Sequence, residues 1–277
     1  MYFDSHSHTV NSDGRFTVEE MCQAAYEKGM PGLVITDHCD MNFYHDRDHY
    51  NRIRKCIDEI YEQKEKYAGK MEVLCGVEMG EYLYDADNAD KVLAFSGYDC
   101  ILNSVHLVPE ARFDKPYNRI PFSEDGTDEE IVDYLKKYLD LLDRTVDSFD
   151  FDVLAHISCP VRYITGKHKR KADMMQFEPM IRKILQKIID RNIALEINSG
   201  GLNSKFEFCN VQNEEIFSLY KSMGGSLVTL GSDAHSTAGL CNGFDTNVEL
   251  LKKLGFTHYH YFKNRKPVPC LFGRHPL

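Results

Sequence analysis

The 277-residue sequence has no apolar run near the ~20 residues that a membrane-spanning helix needs. Its mean hydropathy is −0.43. The first ten residues, MYFDSHSHTV, have neither the basic segment nor the apolar segment of a signal peptide. These absences predict a cytoplasmic protein without a membrane partner.

Basic residues are the minority among the charged ones. The chain has 33 Lys and Arg against 43 Asp and Glu, which gives a formal net charge of −10. A protein that binds duplex nucleic acid usually carries a broad basic face, so nucleic acid is not an expected partner. Bound divalent cations would offset part of this negative charge. The 43% hydrophobic and 27% charged residues are typical of a globular protein and exclude widespread disorder.

The cysteines do not form a recognisable framework. There are nine of them, evenly spread, and no C-x-x-C motif occurs. Neither a set of disulfides nor a structural zinc ribbon is therefore indicated, and we expect reduced thiols. The sequence also has no G-x-S-x-G motif and no cysteine in a phosphate-binding loop, so no protein nucleophile is evident.

Short apolar runs alternate with longer amphipathic stretches along the chain. The first helix is predicted between Thr17, which opens a capping box with Glu20, and Gly29. The pattern predicts one α/β domain over residues 1–277 with parallel strands covered on both faces. Residues 107–127 form a long irregular segment, which is typical of a lid or substrate-binding loop. Strands are predicted at 1–6, 32–38, 71–78, 98–106, 151–156, 193–199 and 225–235, and further helices at about 47–67, 86–96, 128–147, 173–191, 212–223 and 246–254.

Histidines and acidic residues collect at the ends of these strand-like runs. The carboxyl ends of barrel strands converge on one mouth, so these side chains are expected to share one cleft. In His6-x-His8 the two-residue period of a strand sends both rings to the same face. Imidazole and carboxylate groups are ligands for zinc, iron and manganese, and without cations so many titratable groups would be costly to bury together. The predicted metal ligands are His6, His8, Asp13, His38, Glu78, His106, His156, Asp233 and His235.

These residues stand in motifs that resemble the PHP (polymerase and histidinol phosphatase) superfamily, and most closely its histidinol-phosphatase type. The motifs are H-x-H at 6–8, TDH at 36–38, GVEMGEY at 76–82, ILNSVHLV at 101–108, FDVLAHISCPVRY at 151–163 and GSDAH at 231–235. The resemblance implies a distorted (β/α)7 TIM-like barrel with a trinuclear metal centre at its carboxyl mouth. It also implies which residues hold each ion: His6, His8, Glu78 and Asp233 the first; Glu78, His106 and His156 the second; Asp13, His38 and His235 the third.

The activity that the resemblance implies is hydrolysis of L-histidinol phosphate to L-histidinol and phosphate, a step of histidine biosynthesis. Two ions would share a hydroxide that attacks phosphorus in line. Glu78, Asp233 and His235 are the expected catalytic residues, with Asp233 or a metal-bound water protonating the leaving alkoxide. Asp37 precedes a ligand and is expected to orient ligand residues rather than to bind an ion itself.

A phosphate group is well bound by the planar guanidinium of an arginine, which can donate two parallel hydrogen bonds. Arg162, six residues after His156, is the first candidate for this contact. Tyr163, Asn198 and Arg119 are further candidates for substrate binding, as are Arg112 and Lys205. Glu110 or Asp114 could bind the ammonium group of the substrate. The residues leave open other phosphate esters, nucleotides or nucleic-acid 3′ ends as substrates, an amidohydrolase, a non-catalytic metal-binding module, and a homo-oligomer.

Overall fold

The predicted alternation of strands and helices is present in the computed structural model, which describes residues 1–109, 126–200 and 211–272. The α-helices of this part are α1 Val18–Glu27, α2 His49–Lys66, α3 Ala86–Leu93, α4 Asp128–Val146, α5 Cys159–Val161, α6 Glu178–Asp190, α7 Val211–Ser222 and α8 Phe244–Lys253. A π-helix, Arg162–Lys167, continues from α5. The strands are β1 Gly32–Ile35, β2 His38–Asp40, β3 Glu72–Gly80, β4 Cys100–Ser104, β5 Val153–Leu154, β6 Ala194–Asn198, β7 Val228–Gly231, β8 His258–Lys263 and β9 Lys266–Leu271.

Local sequence signals start α1 and α4 at the predicted positions, whereas α6 begins five residues after the predicted start at 173. The Thr17 side chain accepts from the backbone N–H of Glu20, and the Glu20 side chain accepts from the backbone N–H of Thr17. The same reciprocal pair, Thr127 and Glu130, opens α4. Such boxes satisfy two N–H groups that the first helical turn would otherwise leave without partners.

The strands form one sheet in the order β1-β3-β4-β5-β6-β7-β8-β9, and β2 pairs with β3 beside β1. Pairing is parallel from β1 to β8, and only β9 runs antiparallel. The residues of β1, β4, β6 and β7 are all buried, as expected for parallel strands covered on both faces. The carboxyl ends of β1 to β7 therefore open on the same side. Strand β8 pairs with β7 only through Thr229 and His260, and its last residue, Lys263, lies beside Glu72 at the amino end of β3.

Residues 4–8 close this sheet. The Asp4 N–H donates to the carbonyl of Gly32, the first residue of β1, and the Ser5 N–H donates to the carbonyl of Leu230 in β7. The expected regular strand over 1–6 is wrong, because the segment forms only two isolated bridges, Asp4 with Leu33 and Ser7 with Ala234. Its hydrogen bonds are divided between two neighbouring strands, and the sheet closes through it into the distorted barrel that the motifs imply.

Strands β4, β5 and β7 are shorter than predicted, and two further differences in strand boundaries affect the site. The run 32–38 is interrupted at Thr36 and Asp37, so His38 begins the short strand β2 instead of ending a longer one. Strand β3 continues to Gly80, so Glu78 lies within it. The carboxylate consequently stands on the inner wall of the barrel mouth rather than on a loop.

The hairpin β8–β9 is not predicted from the sequence, and its turn covers the amino end of the barrel. The Asn264 N–H donates to Asp99 Oδ1 at 3.0 Å, and Arg265 Nε donates to Asp152 Oδ2 at 2.5 Å. Asp99 and Asp152 directly precede β4 and β5. The turn therefore ties the chain end to the side of the barrel opposite the strand ends that carry the predicted ligands.

Arg265→Ala should lower stability without disturbing those strand ends. The substitution leaves the buried Asp152 carboxylate without its charged partner, which costs on the order of 1–3 kcal/mol. Urea unfolding measures the loss, and the number of bound metal ions should stay that of the wild type. An unchanged unfolding midpoint would show that the turn contributes nothing to stability.

No helix in the described ranges is both long and apolar enough to cross a membrane.

Candidate active site

The structure brings all nine predicted ligand residues to one cleft at the carboxyl side of the barrel. His6 and His8 lie on the closing segment, His106 follows β4, and His156 follows β5. Asp233 and His235 follow β7, His38 begins β2, Glu78 lies in β3, and Asp13 lies in the turn that leads to α1. The side chains of His6, His8 and Glu78 are fully buried, whereas that of Asp13 is 53% exposed. The cleft thus has a closed floor and an open rim.

Glu78 is at the centre of this arrangement, and its two oxygens face different imidazoles. Oε1 lies 2.8 Å from His156 Nε2 and 3.2 Å from His106 Nε2. Oε2 lies 3.3 Å from His6 Nε2 and 2.8 Å from His38 Nδ1. One carboxylate therefore contacts ring nitrogens on two sides of the cleft.

The remaining predicted ligands complete the cleft. His8 Nε2 lies 3.1 Å from His6 Nε2 and 3.3 Å from Asp233 Oδ1. His235 Nε2 lies 3.0 Å from Asp13 Oδ1. Among the described residues, ligand-type atoms come within 4.8 Å of one another in three groups made only of predicted ligands: His6, His8 and Asp233; His38, Glu78 and His106; His8, Asp13, His38 and His235.

The electrostatics of the cleft are strongly coupled. Burial alone would raise the pKa of the Glu78 carboxyl, but the imidazoles of His38 and His6 hold it well below its usual range. Burial and the neighbouring imidazoles of His38 and His235 lower the pKa of His8 to about 4. The protonation state of each of these groups therefore depends on its neighbours, as is common at functional sites.

Three imidazoles have their Nδ1 atoms next to a hydrogen-bond acceptor. Each Nδ1 must then carry the proton, and in the neutral ring Nε2 keeps a lone pair. Those Nε2 atoms face carboxylate oxygens, so each pair requires a positive charge between its atoms. That charge is either a second ring proton, since the nearby carboxylates raise the pKa of His6, His106 and His235, or a bound cation. The donor set therefore fits metal ions. The three pairs are His6 with Glu196 Oε1 at 2.6 Å, His106 with Asp40 Oδ1 at 3.3 Å, and His235 with the carbonyl oxygen of Asp233 at 2.9 Å.

Glu196, Asp40 and Glu81 are the residues at the cleft that sequence reasoning missed. Glu196 and Asp40 accept from ring nitrogens, and Glu81 accepts from the backbone N–H groups of His106 and Leu107. Burial raises the pKa of Glu81 to about 7. The sequence signal that could have identified these three residues is an acidic side chain inside or directly after an apolar run.

Asp37 orients the turn that carries the predicted ligand Asp13. It accepts from the backbone N–H of Thr9 at 2.7 Å and from the hydroxyls of Thr9 and Ser12, each at 2.5 Å. These bonds fix the turn that carries Asp13, so Asp37 orients that loop more directly than it orients His38.

Arg162 and Tyr163 line the same cavity, of about 130 Å³, as the predicted ligands Asp13, His38, His106, His156, Asp233 and His235. Arg162 is only 7% exposed. Its Nη1 lies 3.1 Å from Asp233 Oδ2, and its Nη2 donates to Asn198 Oδ1 at 2.6 Å. The structure thus brings three of the predicted substrate-binding residues together. Arg119, together with Arg112, Lys205, Glu110 and Asp114, lies outside the described residues.

Two unpredicted residues, Phe43 and Arg47, also line this cavity. The Arg47 guanidinium stacks over the Phe43 ring at 4.6 Å from its centroid. Both residues follow β2 in a turn whose sequence gave no sign of a site.

Fold and site together define a closed parallel α/β barrel with a cluster of histidines and carboxylates at the carboxyl ends of its strands. The family model described as "PHP domain" matches residues 4–200. A probable histidinol-phosphatase of Clostridium acetobutylicum is 31% identical over 240 residues, which are 85% of this chain and 87% of that protein. The chain belongs to the PHP family, and the resemblance inferred from the motifs is confirmed.

Two further relatives agree with this assignment. A probable histidinol-phosphatase of Thermotoga maritima is 28% identical over 92% of this chain and 93% of its own. The crystal structure of histidinol phosphate phosphatase from Lactococcus lactis, complexed with zinc, L-histidinol and phosphate, has a TM-score of 0.76 at 20% identity. That match covers 97% of this chain and 100% of the other, so it confirms the barrel fold.

Proposed function

We propose that the protein is a metal-dependent phosphomonoesterase that hydrolyses L-histidinol phosphate to L-histidinol and phosphate. The observation that carries the proposal is the single cleft in which Glu78 faces imidazoles with both of its oxygens. The names of the relatives from C. acetobutylicum and T. maritima support the substrate, as do the ligands in the L. lactis structure.

Two or three divalent ions, zinc, iron or manganese, are the proposed cofactors. When bound, such ions supply Lewis acidity toward phosphate oxygens and lower the pKa of a water molecule for in-line attack on phosphorus. The distances from Glu78 Oε1 to His106 and His156 and from Oε2 to His6 support the first and second ligand sets that the resemblance implies. His38, which the resemblance places in the third set, also lies 2.8 Å from Oε2. The first ion is assigned to His6, His8, Glu78 and Asp233, the second to Glu78, His106 and His156, and the third to Asp13, His38 and His235.

The residues of the chain bind and orient the substrate in this scheme. The Arg162 guanidinium, fixed by Asn198 and Asp233, would bind a phosphate oxygen at the cavity wall. Tyr163 lines the same wall and would add a hydroxyl donor. The ion pair with Arg162 favours the ionised form of Asp233, which suits a metal ligand, so the leaving alkoxide would take its proton from water in the cavity.

A cytoplasmic location is part of the proposal. The cysteines in the described ranges are free, and all but Cys241 are buried. Reduced thiols of this kind are usual in a reducing compartment.

The experiment is turnover of a panel of phosphate esters by protein reconstituted with zinc, iron or manganese. The panel contains L-histidinol phosphate, nucleoside monophosphates and an oligonucleotide with a 3′ phosphate. We expect the highest kcat/KM for L-histidinol phosphate and two or three ions per chain by elemental analysis. Fewer than about one ion per chain after reconstitution would contradict the metal site, and a preference for nucleotides would contradict the substrate.

A further inference from the structure

Glu196, in the middle of β6, contacts two predicted ligands from different parts of the cleft. Its Oε1 lies 2.6 Å from His6 Nδ1, and its Oε2 accepts from the backbone N–H of His156 at 2.7 Å. Oε2 also accepts from Asn198 Nδ2 at 3.1 Å. The residue is only 2% exposed, so these three donors account for its charge in the barrel interior.

The contact with His156 holds an unfavourable backbone conformation. His156 has a φ of 23°, in the left-handed region that a residue with a Cβ rarely adopts. The conformation turns the imidazole so that Nε2 lies 2.8 Å from Glu78 Oε1. A charged acceptor on the N–H of the strained residue offsets part of the cost of this conformation.

The adjacent strand leaves space for the Glu196 carboxylate. Gly231 in β7 pairs with Asn198 in β6. A Cβ atom at position 231 would lie 1.9 Å from Glu196 Oε1 and 2.9 Å from the Cβ of His6. Only glycine permits the carboxylate to reach His6 from β6.

We propose that Glu196 is a positioning residue that couples the first and second metal sites, an inference that rests on the proposed function. Through His6 it fixes the proton on Nδ1 and leaves the Nε2 lone pair for the first ion. Through the backbone of His156 it aims an imidazole at the second ion. Through Asn198 the same carboxylate is linked to Arg162, whose Nη2 donates to Asn198 Oδ1.

Glu196→Gln changes the charge and one acceptor with almost no change of shape. The site presents three N–H donors, from His6 Nδ1, the backbone of His156 and Asn198 Nδ2, and an amide offers one acceptor oxygen and one NH₂ group. At least one of these contacts must therefore become donor against donor. Loss of an outer partner of this kind typically weakens metal binding by about 10- to 100-fold, and here the loss should reach both sites.

The test is a zinc titration of metal-free protein against a competing chelator, with thermal unfolding measured with and without zinc. For Glu196→Gln we expect zinc affinity about 10- to 100-fold below wild type and a smaller rise in Tm on adding zinc. The Nδ1 proton of His6, a downfield imidazole signal in NMR spectra of the wild type, should shift or disappear. In Gly231→Ala the added methyl group would clash with the Glu196 carboxylate and displace it, so zinc binding should weaken in this variant too. This second variant tests the inference if Glu196→Gln fails to fold.

Asp152→Asn is the matched control, because Asp152 is also a buried carboxylate that accepts from a backbone N–H, but at the other end of the barrel. It should lower the Tm of the metal-free protein and leave zinc affinity unchanged. Wild-type zinc affinity in folded Glu196→Gln would overturn the inference and leave the proposed function intact. A wild-type protein that binds no zinc, iron or manganese would overturn both.

Discussion

Glu78→Gln is expected to abolish phosphatase activity while the barrel stays folded. Each carboxylate oxygen of Glu78 faces a different set of imidazoles, with His156 on one side and His6 on the other. The amide has nearly the same shape, but it loses the negative charge and offers an NH₂ group where a second ligand oxygen is needed. Both proposed ions of the catalytic pair should therefore be weakened. The measurements are kcat/KM, metal content and circular dichroism on the same preparation.

Glu72→Gln is the control for this variant. Glu72 is the first residue of the same strand, and its carboxylate pairs with Lys263 at 2.8 Å on the protein surface. A partly exposed ion pair contributes under about 1 kcal/mol, so activity and metal content should stay those of the wild type. If Glu78→Gln lowered the Tm but kept kcat/KM within about tenfold of wild type, its carboxylate would have a structural role only.

The location of the site was predictable because strand ends can be identified from the sequence. Apolar runs mark the parallel strands, and polar residues at their carboxyl ends must share one mouth. The prediction that the rings of His6 and His8 lie on the same face is confirmed, since their Nε2 atoms lie 3.1 Å apart. This is so although the segment is not a regular strand. Local pattern and topology together were sufficient to place the nine predicted ligand residues in one cleft.

The partners of these residues were not predictable in the same way. In the sequence, Glu196 is an acidic residue in an apolar run with no distinguishing feature. Its hydrogen-bond partner, His6, is 190 positions away. Arg162 and Asp233 are separated by 71 positions. Such contacts depend on strand register and side-chain reach, which periodicity alone does not give.

Helix and strand boundaries were predictable where neighbouring residues determine them and not where residues distant in sequence do. Helix α1 begins and ends near the predicted positions because Thr17 and Gly29 act on neighbouring residues. The closing segment is irregular because it is shared between β1 and β7. The hairpin β8–β9 was missed because KPVPCL contains two prolines, which are tolerated only where a strand has a free edge.

Arg162→Ala is expected to reduce kcat/KM by roughly 30- to 150-fold, which corresponds to a lost charge-assisted contact of about 2–3 kcal/mol. The residue is 7% exposed, which argues against an ordinary surface arginine. Its guanidinium lies at the cavity wall and is fixed by Asn198 and Asp233. Arg162→Lys should recover part of the loss, because an ammonium restores the charge but not the planar fork. Steady-state kinetics with L-histidinol phosphate measures all three proteins.

Arg162 could also influence the rate by holding Asp233 in place. Measuring zinc affinity distinguishes this effect from direct binding of phosphate by Arg162. If Arg162 binds phosphate, Arg162→Ala should lower kcat/KM and keep wild-type zinc affinity, because Asp233 Oδ1 faces His8 independently at 3.3 Å. If Arg162 acts by holding Asp233, zinc affinity should fall together with activity. Inorganic phosphate should then inhibit the variant as strongly as the wild type, whereas loss of a phosphate contact would weaken that inhibition. A kcat/KM within about threefold of wild type would show that other groups hold the phosphate.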